Sequence, residues 1–281
     1  MKPQDFEFLS SLLKRRSGLM LNPDKVYLLE SRLTPLARRM GMEGLDALIE
    51  ELRRTGSETL TRDVTEAMTT NESFFFRDRT PFDLFRDQVL PALKERRAAT
   101  RKIRIWCAAC STGQEPYSLA FILKEQEIQW RDWTIEIVGT DLSRSVLEKA
   151  RSGLYSQFEV QRGLPIKLLM KYFNQDGDVW QLSEEIRKMV TFREFNLLDS
   201  FAPLGKFDVI YCRNVLIYFD QPTKTSVLER LRGAMPSDGT LFLGAAETVL
   251  GLTDRFRPVR GQRGMYLPSD AGEEMMAAVG A

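Results

Sequence analysis

The sequence contains no histidine. The commonest general base near pH 7 is therefore missing, and any chemistry must use carboxylates, Tyr, Lys, Arg or Cys, or need no base. Cysteine is scarce, with Cys107, Cys110 and Cys212 alone. An odd count at this density argues against a disulfide framework. Three cysteines and no histidine cannot make a four-cysteine or Cys/His zinc site, so the CxxC of Cys107 and Cys110 reads as packing and loop structure, and no metal is expected. Long apolar runs are also lacking. None approaches the ~20 residues that span a bilayer, and the N-terminus MKPQDFEFLSSLLKRRSG has no signal-peptide core. A cytoplasmic protein without membrane insertion is expected. Nor is there an excess of one charge: 40 Lys and Arg face 39 Asp and Glu. Bulk charge thus gives no argument for nucleic acid or an anionic membrane as partner. No long exposed heptad seam is present, so a monomer is expected.

What is present suits one large domain or two unequal ones, since 281 residues with 43% hydrophobic content provide ample core. Residues 1–68 show helical periodicity only, which predicts a small all-α bundle. Gly18 stops its first helix. In NPDKVYLLESRLTPLARRMG, Pro35 is expected to kink or restart the second, with Thr34 as cap. From about Pro91 strands alternate with helices: KIRIWC, WTIEIVGTD, MVTFREFNLL, FDVIYCRN and GTLFLGAAE, with RGMYL near the end. This predicts an α/β fold with a mostly parallel sheet and helices on both faces. Ligands of such sheets sit at the edge where the strands end. Residues 152–187 interrupt the rhythm. They read as a short helix around Ile166–Phe173 followed by a small antiparallel β insert that turns at NQDGD. The tail SDAGEEMMAAVGA reads as disordered.

The first strand leads into CAACSTGQEPYSLA. A dinucleotide turn needs several glycines to bring backbone against a pyrophosphate, and this turn has Gly113 alone. Glu115 stands at the helix N-terminus where a phosphate would sit, and it would repel an anion. A cationic, phosphate-free ligand fits better, and S-adenosylmethionine carries a sulfonium and an ammonium. The second strand ends at Asp141, near the spacing at which an acidic residue meets a ribose. The plainer role for Asp141 is the N-cap of SRSVLEKA. Later strands deliver Asn196 and Leu197, which suit an adenine base, and then Arg213 and Asn214, to the same edge.

Taken together, TTNESFFFRD (69–78), CAACSTGQEPYSLA (107–120), GTDLS (139–143), FNLLD (195–199), CRNVLIYF (212–219) and LGAAET (243–248) resemble the chemotaxis receptor glutamate O-methyltransferases, the CheR-type family. The resemblance covers most of the chain, in family order. It implies a Rossmann-like S-adenosylmethionine methyltransferase sheet with a small antiparallel β insert, preceded by a small all-α N-terminal domain. That gives a receptor-facing helical domain (1–68), a linker contributing to the cofactor site (69–90) and a methyltransferase domain (91–281). The implied activity is methylation of glutamate side chains on the cytoplasmic helices of chemoreceptors, with S-adenosylhomocysteine as product. Carried over by position, Asn71, Ser73, Arg77, Glu115, Asp141, Asn196, Leu197, Arg213 and Asn214 would hold the cofactor. Arg77 and Tyr218 would lie nearest the transferring methyl. Phe74, Phe75 and Phe76 are expected to pack the helical domain onto the sheet. Lys25, Arg32 and Arg39 recur every seven residues, with Arg38 beside them, and the resemblance turns this face toward acidic receptor helices.

Three departures stand out: Ser73 where the family often has Thr, Gln114 where it often has Glu, and RTP after the FFR motif where many members carry histidines. The chemistry tolerates the last, because a glutamate acceptor with pKa ~4.3 is already ionised and needs no base. The short NQDGD turn lacks the longer glycine-rich loop of relatives that bind a receptor C-terminal tether peptide, so no tether is expected. A methyltransferase with another acceptor and a catalytically silent cofactor-binding module are the competing readings. A dehydrogenase lacks its glycine fingerprint here.

Overall fold

The structure is a computed structural model that describes residues 1–272. The end of the tail read as disordered, 273–281, lies outside the described residues. The chain divides into two units, Met1–Thr70 with Tyr218–Thr223, and Asn71–Ile217 with the chain from Lys224 onward.

The first unit holds α1 (Pro3–Ser17), α2 (Val26–Arg39), α3 (Leu45–Thr55) and α4 (Glu58–Met68). Their apolar stripes close on one core, in which Leu9, Leu13, Leu29, Leu33, Leu48 and Val64 are fully buried. α1 ends where its sequence predicts, with Gly18 left-handed and its N–H on Lys14 O. Contrary to expectation, α2 does not restart at Pro35. It runs from Val26 to Arg39 with Pro35 inside it, and Thr34 caps nothing. The residues around it, Leu29, Leu33, Leu36 and Ala37, are buried, and that burial outweighs the lost backbone bond.

The second unit opens with the segment 71–79 and then a helical stretch: α5 (Thr80–Leu84), one π turn (Phe85–Val89) and α6 (Leu90–Arg96). Strands and helices then alternate as β1 (Lys102–Ala108), α7 (Gln114–Glu125), β2 (Thr134–Asp141) and α8 (Arg144–Ser152). The insert follows, with β3 (Leu154–Ser156), α9 (Gln157–Gln161), α10 (Ile166–Tyr172), β4 (Phe173–Asp176), β5 (Val179–Leu182) and α11 (Glu184–Arg187). The chain finishes with β6 (Val190–Glu194), β7 (Val209–Cys212), α12 (Gln221–Gly233), β8 (Thr240–Leu243), β9 (Phe256–Pro258) and β10 (Met265–Pro268).

The main sheet has seven strands in the order β6-β2-β1-β7-β8-β10-β9. The first five are parallel, and β10 runs antiparallel to both its neighbours. The insert is a separate antiparallel sheet, β3-β5-β4. From β1 the chain builds outward through β2 and β6, then returns to β1's other side for β7 and β8. The order therefore reverses between β1 and β7, which is where an open α/β sheet holds its ligand. Register makes this an even edge, since Ala108 pairs with both Thr140 and Cys212.

Phe75 belongs to the core of this unit. It is fully buried and meets the rings of Phe121, Tyr155 and Phe173. Phe76 packs on Phe82 and Phe121. Phe74 lies under two guanidinium groups, those of Arg77 and Arg162. These contacts are all within the sheet unit itself. The three cysteines are buried and free, and burial pushes each thiol well above its ordinary range. Packing roles follow.

Candidate functional site

Backbone strain marks the site. Seven non-glycine residues have left-handed φ among the described residues, and six of them are Phe76, Asp78, Arg79, Ala109, Ser111 and Asn214. They fall in three places: the 71–79 segment, the loop after β1 and the loop after β7. Such residues cost on the order of 1–2 kcal/mol each and persist where the surroundings over-determine them. Gly113 completes the β1 loop with φ 91°, and a Cβ there would stand 2.9 Å from Ala150 Cβ. Glycine is required on both counts.

Asp141 closes β2 and holds two loops together. Its Oδ2 accepts the Ser111 N–H at 2.8 Å, and its Oδ1 accepts the Ser143 N–H at 3.0 Å. It is not the N-cap of α8, a position that Ser143 takes. The carboxylate is buried, and these bonds fix its direction. Ser111 Oγ in turn donates to Asn71 O at 2.7 Å, tying the segment 71–79 to the β1 loop. Ser73 is half-buried.

Arg213 is the hub. Its side chain is 1% exposed, and it joins three pieces of chain. One NH group donates to Glu115 Oε2 at 2.7 Å, in the first turn of α7. The other donates to Asp78 Oδ2 at 2.7 Å and to Arg77 O at 3.0 Å. Its Nε is buried without a protein partner. Burial works against the Arg213 charge, but Glu115 and Asp78 outweigh it and hold its pKa up. Burial pushes the Glu115 carboxyl up from the usual carboxylate range, with the Arg213 guanidinium opposing. The negative charge that sequence reasoning assigned to the helix N-terminus is thus present but paired. Arg77 donates to Glu72 O at 2.9 Å and lies over the Phe74 ring, and its charge also steadies Glu115.

The loop after β6 is less open than expected. Asn196 Oδ1 accepts the Leu198 N–H at 3.0 Å, so part of the amide serves the loop's own turn. Leu197 is buried. Tyr218 is half-buried and groups with the helical unit, where its carbonyl accepts the Met20 N–H at 2.9 Å.

This arrangement is that of a known family. The profile described as "CheR methyltransferase, SAM binding domain" matches residues 71–265, and "CheR methyltransferase, all-alpha domain" matches residues 4–69. The chain is 41% identical over 265 residues to Chemotaxis protein methyltransferase 1 of Pseudomonas aeruginosa, covering 93% of this chain and 96% of that protein. The chain belongs to the CheR methyltransferase family. Further relatives are Chemotaxis protein methyltransferase Cher2 of Pseudomonas putida, 39% identical over 93% of this chain and 96% of that protein, and Chemotaxis protein methyltransferase of Vibrio parahaemolyticus, 38% identical over 93% and 95%.

The protein is therefore a methyltransferase that uses S-adenosylmethionine, and the residues fit that molecule. No Lys or Arg stands in the β1 loop to receive a phosphate, while Asp141 and Glu115 put two buried carboxylates at the switch point. Two members of this CheR site escaped sequence reasoning. Glu247 is buried, and its carboxylate accepts the N–H groups of Gly244, Asn214, Val215, Leu216 and Ile217 at 2.6–3.3 Å. It fixes the strained exit of β7. Arg230, on α12, donates to Leu197 O at 2.7 Å and Leu198 O at 3.1 Å, and so holds the β6 loop. The motif LGAAET pointed toward Glu247, but its partners are backbone amides and leave no mark in sequence.

On the helical unit, Lys25, Arg38 and Arg39 are exposed. Arg32 donates to Met68 O, Thr69 O and Thr70 Oγ1 at 2.7–3.0 Å and so caps the end of α4. The seven-residue spacing thus includes one residue with an internal task. Lys25 belongs to a short 3₁₀ turn ahead of α2.

Proposed function

We propose that this enzyme methylates glutamate side chains on the helical cytoplasmic region of chemoreceptors, yielding glutamate methyl esters that tune chemotaxis. The names of the relatives support the chemotaxis setting. The observation that carries the reading is the Asp141–Ser111 and Glu115–Arg213 framework at the switch point, built without histidine. S-adenosylmethionine, when bound, supplies an electrophilic sulfonium methyl. Asp141, Asn196 and Leu197 hold its nucleoside side, and Asn71, Ser73 and Glu115 its amino-acid side. Arg213 and Asn214 shape the floor. A glutamate acceptor at neutral pH is ionised and has no proton to lose. The protein's task reduces to alignment and partial desolvation. Arg77 orients the acceptor carboxylate through charge-assisted hydrogen bonds, and Tyr218 positions a reactant through its hydroxyl.

Lys25, Arg38 and Arg39, with Arg32, form the receptor-facing surface, whose grip weakens as salt rises. The insert turns from β4 to β5 through Gly177 and Asp178 alone, and the enzyme works as a cytoplasmic monomer without a tether peptide.

The test uses S-adenosylmethionine labelled on its methyl group, incubated with chemoreceptor cytoplasmic fragments. Carboxyl methyl esters release volatile methanol in alkali, whereas N-methyl and C-methyl products keep their label. Volatile label from a receptor band is expected. Stable label would replace the acceptor, and cofactor binding without label would favour the silent module. Asp141→Ala is expected to weaken cofactor binding. Arg77→Ala is expected to slow transfer beyond its effect on affinity, and normal turnover in that variant would remove Arg77 from the assignment.

A further inference from the structure

Arg162 sits in the loop between α9 and α10 of the insert. Its guanidinium donates to Glu72 Oε1 at 2.7 Å and lies 4.2 Å from the centre of the Phe74 ring. Both partners belong to the strained segment that carries Arg77. Arg77 uses the same two residues, donating to Glu72 O at 2.9 Å and standing 5.5 Å from the Phe74 ring. The next residue, Gly163, presses on the segment's backbone. A Cβ there would lie 2.1 Å from Phe75 O, and its φ of 83° suits glycine alone. On the far side the segment is held by Ser118 Oγ, which accepts the Phe76 N–H at 2.9 Å, and by Arg213 at Arg77 O.

We infer that Arg162 is a positioning residue for methyl transfer: through Glu72 and Phe74 it sets the direction of the Arg77 guanidinium, coupling the insert to the reacting centre. That Arg77 faces the acceptor rests on the function proposed above. The inference that Arg162 orders Arg77 does not.

Arg162 and Glu72 are largely solvent-exposed, with side chains 40% and 59% accessible. An exposed ion pair and an exposed cation–π contact contribute little to global stability. A structural role would therefore be nearly silent, and a positioning role would not be. Arg162→Ala is expected to shift the melting temperature little while lowering kcat roughly three- to tenfold, with the KM for S-adenosylmethionine changed less than about twofold. Arg162→Lys keeps the charge but not the planar group that bonds and stacks at once, so it is expected to recover only part of the loss.

The deciding measurement is a double-mutant cycle with Arg77→Ala, read alongside the Nε–Hε resonance of Arg77. Adding Arg162→Ala to Arg77→Ala is expected to cost nothing further, because Arg162 acts through the side chain already removed. The Arg77 resonance is expected to shift or broaden in Arg162→Ala. Full multiplicative slowing in the Arg77→Ala background overturns the inference, as does an unmoved resonance or an Arg162→Ala enzyme with normal turnover. If the unaltered protein transfers no methyl to receptor fragments, the functional reading fails. The resonance then still decides whether Arg162 orders Arg77.

Discussion

At the scale of single residues, the site depends on charges that neutralise one another. Arg213 is one side chain with obligations to α7, to Asp78 and to the backbone of Arg77. Replacing it by Met removes those bonds and leaves Glu115 buried without its cation. Breaking a buried pair in this way costs on the order of 3–5 kcal/mol. The loss is expected to depend on pH. Burial already raises the Glu115 carboxyl, and without Arg213 the Arg77 charge alone is left to oppose that rise. A folded carboxyl with a raised pKa binds a proton that the unfolded chain has released, so stability falls as pH climbs through that window. Arg213→Met is therefore expected to be more damaging at pH 8 than at pH 5. Urea denaturation at the two values checks this, and equal losses would contradict the assignment. Asp141 and Glu115 were legible because each ends or follows a strand at a fixed place in the α/β repeat. The grip of Arg213 on Asp78, of Arg230 on Leu197 and of Glu247 on the four amides of 214–217 was not, since each joins residues far apart in sequence through tertiary packing.

At the scale of elements, the sequence pattern revealed the five parallel strands and β10 because each carries apolar residues at strand spacing, continuous in Val209–Cys212 and alternating in Val190–Glu194. β9 was missed: Phe256–Pro258 is three residues long and ends in proline, too short to show a period. The stretch 80–96 was read as linker up to about Pro91, yet it is helical throughout. Proline has no N–H to give, and the chain accommodates it with a π turn in which the Leu90 N–H reaches Phe85 O, just before Pro91. Pro35 shows the opposite economy, a proline tolerated inside α2 because the surrounding face is buried. Its own position is exposed, so substitution sacrifices no packing. Pro35→Ala regains up to ~3 kcal/mol of helix propensity and returns about 1 kcal/mol through a freer unfolded chain. A net stabilisation of about 2 kcal/mol is expected in thermal melts. An unchanged or lower melting temperature would mean that the proline is not strained there.

At the scale of the whole molecule, the chain returns late to its beginning. Residues Tyr218–Thr223 group with the helical unit, far from it in sequence. Asp220 anchors that return. Its Oδ2 meets Lys14 Nζ at 2.7 Å, and its Oδ1 accepts the Thr223 N–H at 3.0 Å. The Lys14 hydrogen bond, with those from Thr223, brings the Asp220 pKa from 3.8 down to about 2. The unfolded chain thus binds a proton at Asp220 before the folded one does. The resulting stability is fully present above about pH 5 and fades as pH falls toward 2. By linkage it is worth at most about 2 kcal/mol, and less because Lys14 is half-exposed to solvent. Asp220→Asn keeps an oxygen for the Thr223 amide but gives up the charge. It is expected to cost about 1 kcal/mol at pH 7, and its stability curve is expected to merge with that of the unaltered protein near pH 2. Denaturant titrations across pH 2–7 read this directly. Parallel curves over the whole range would show that the Lys14–Asp220 pair does not carry the acid sensitivity.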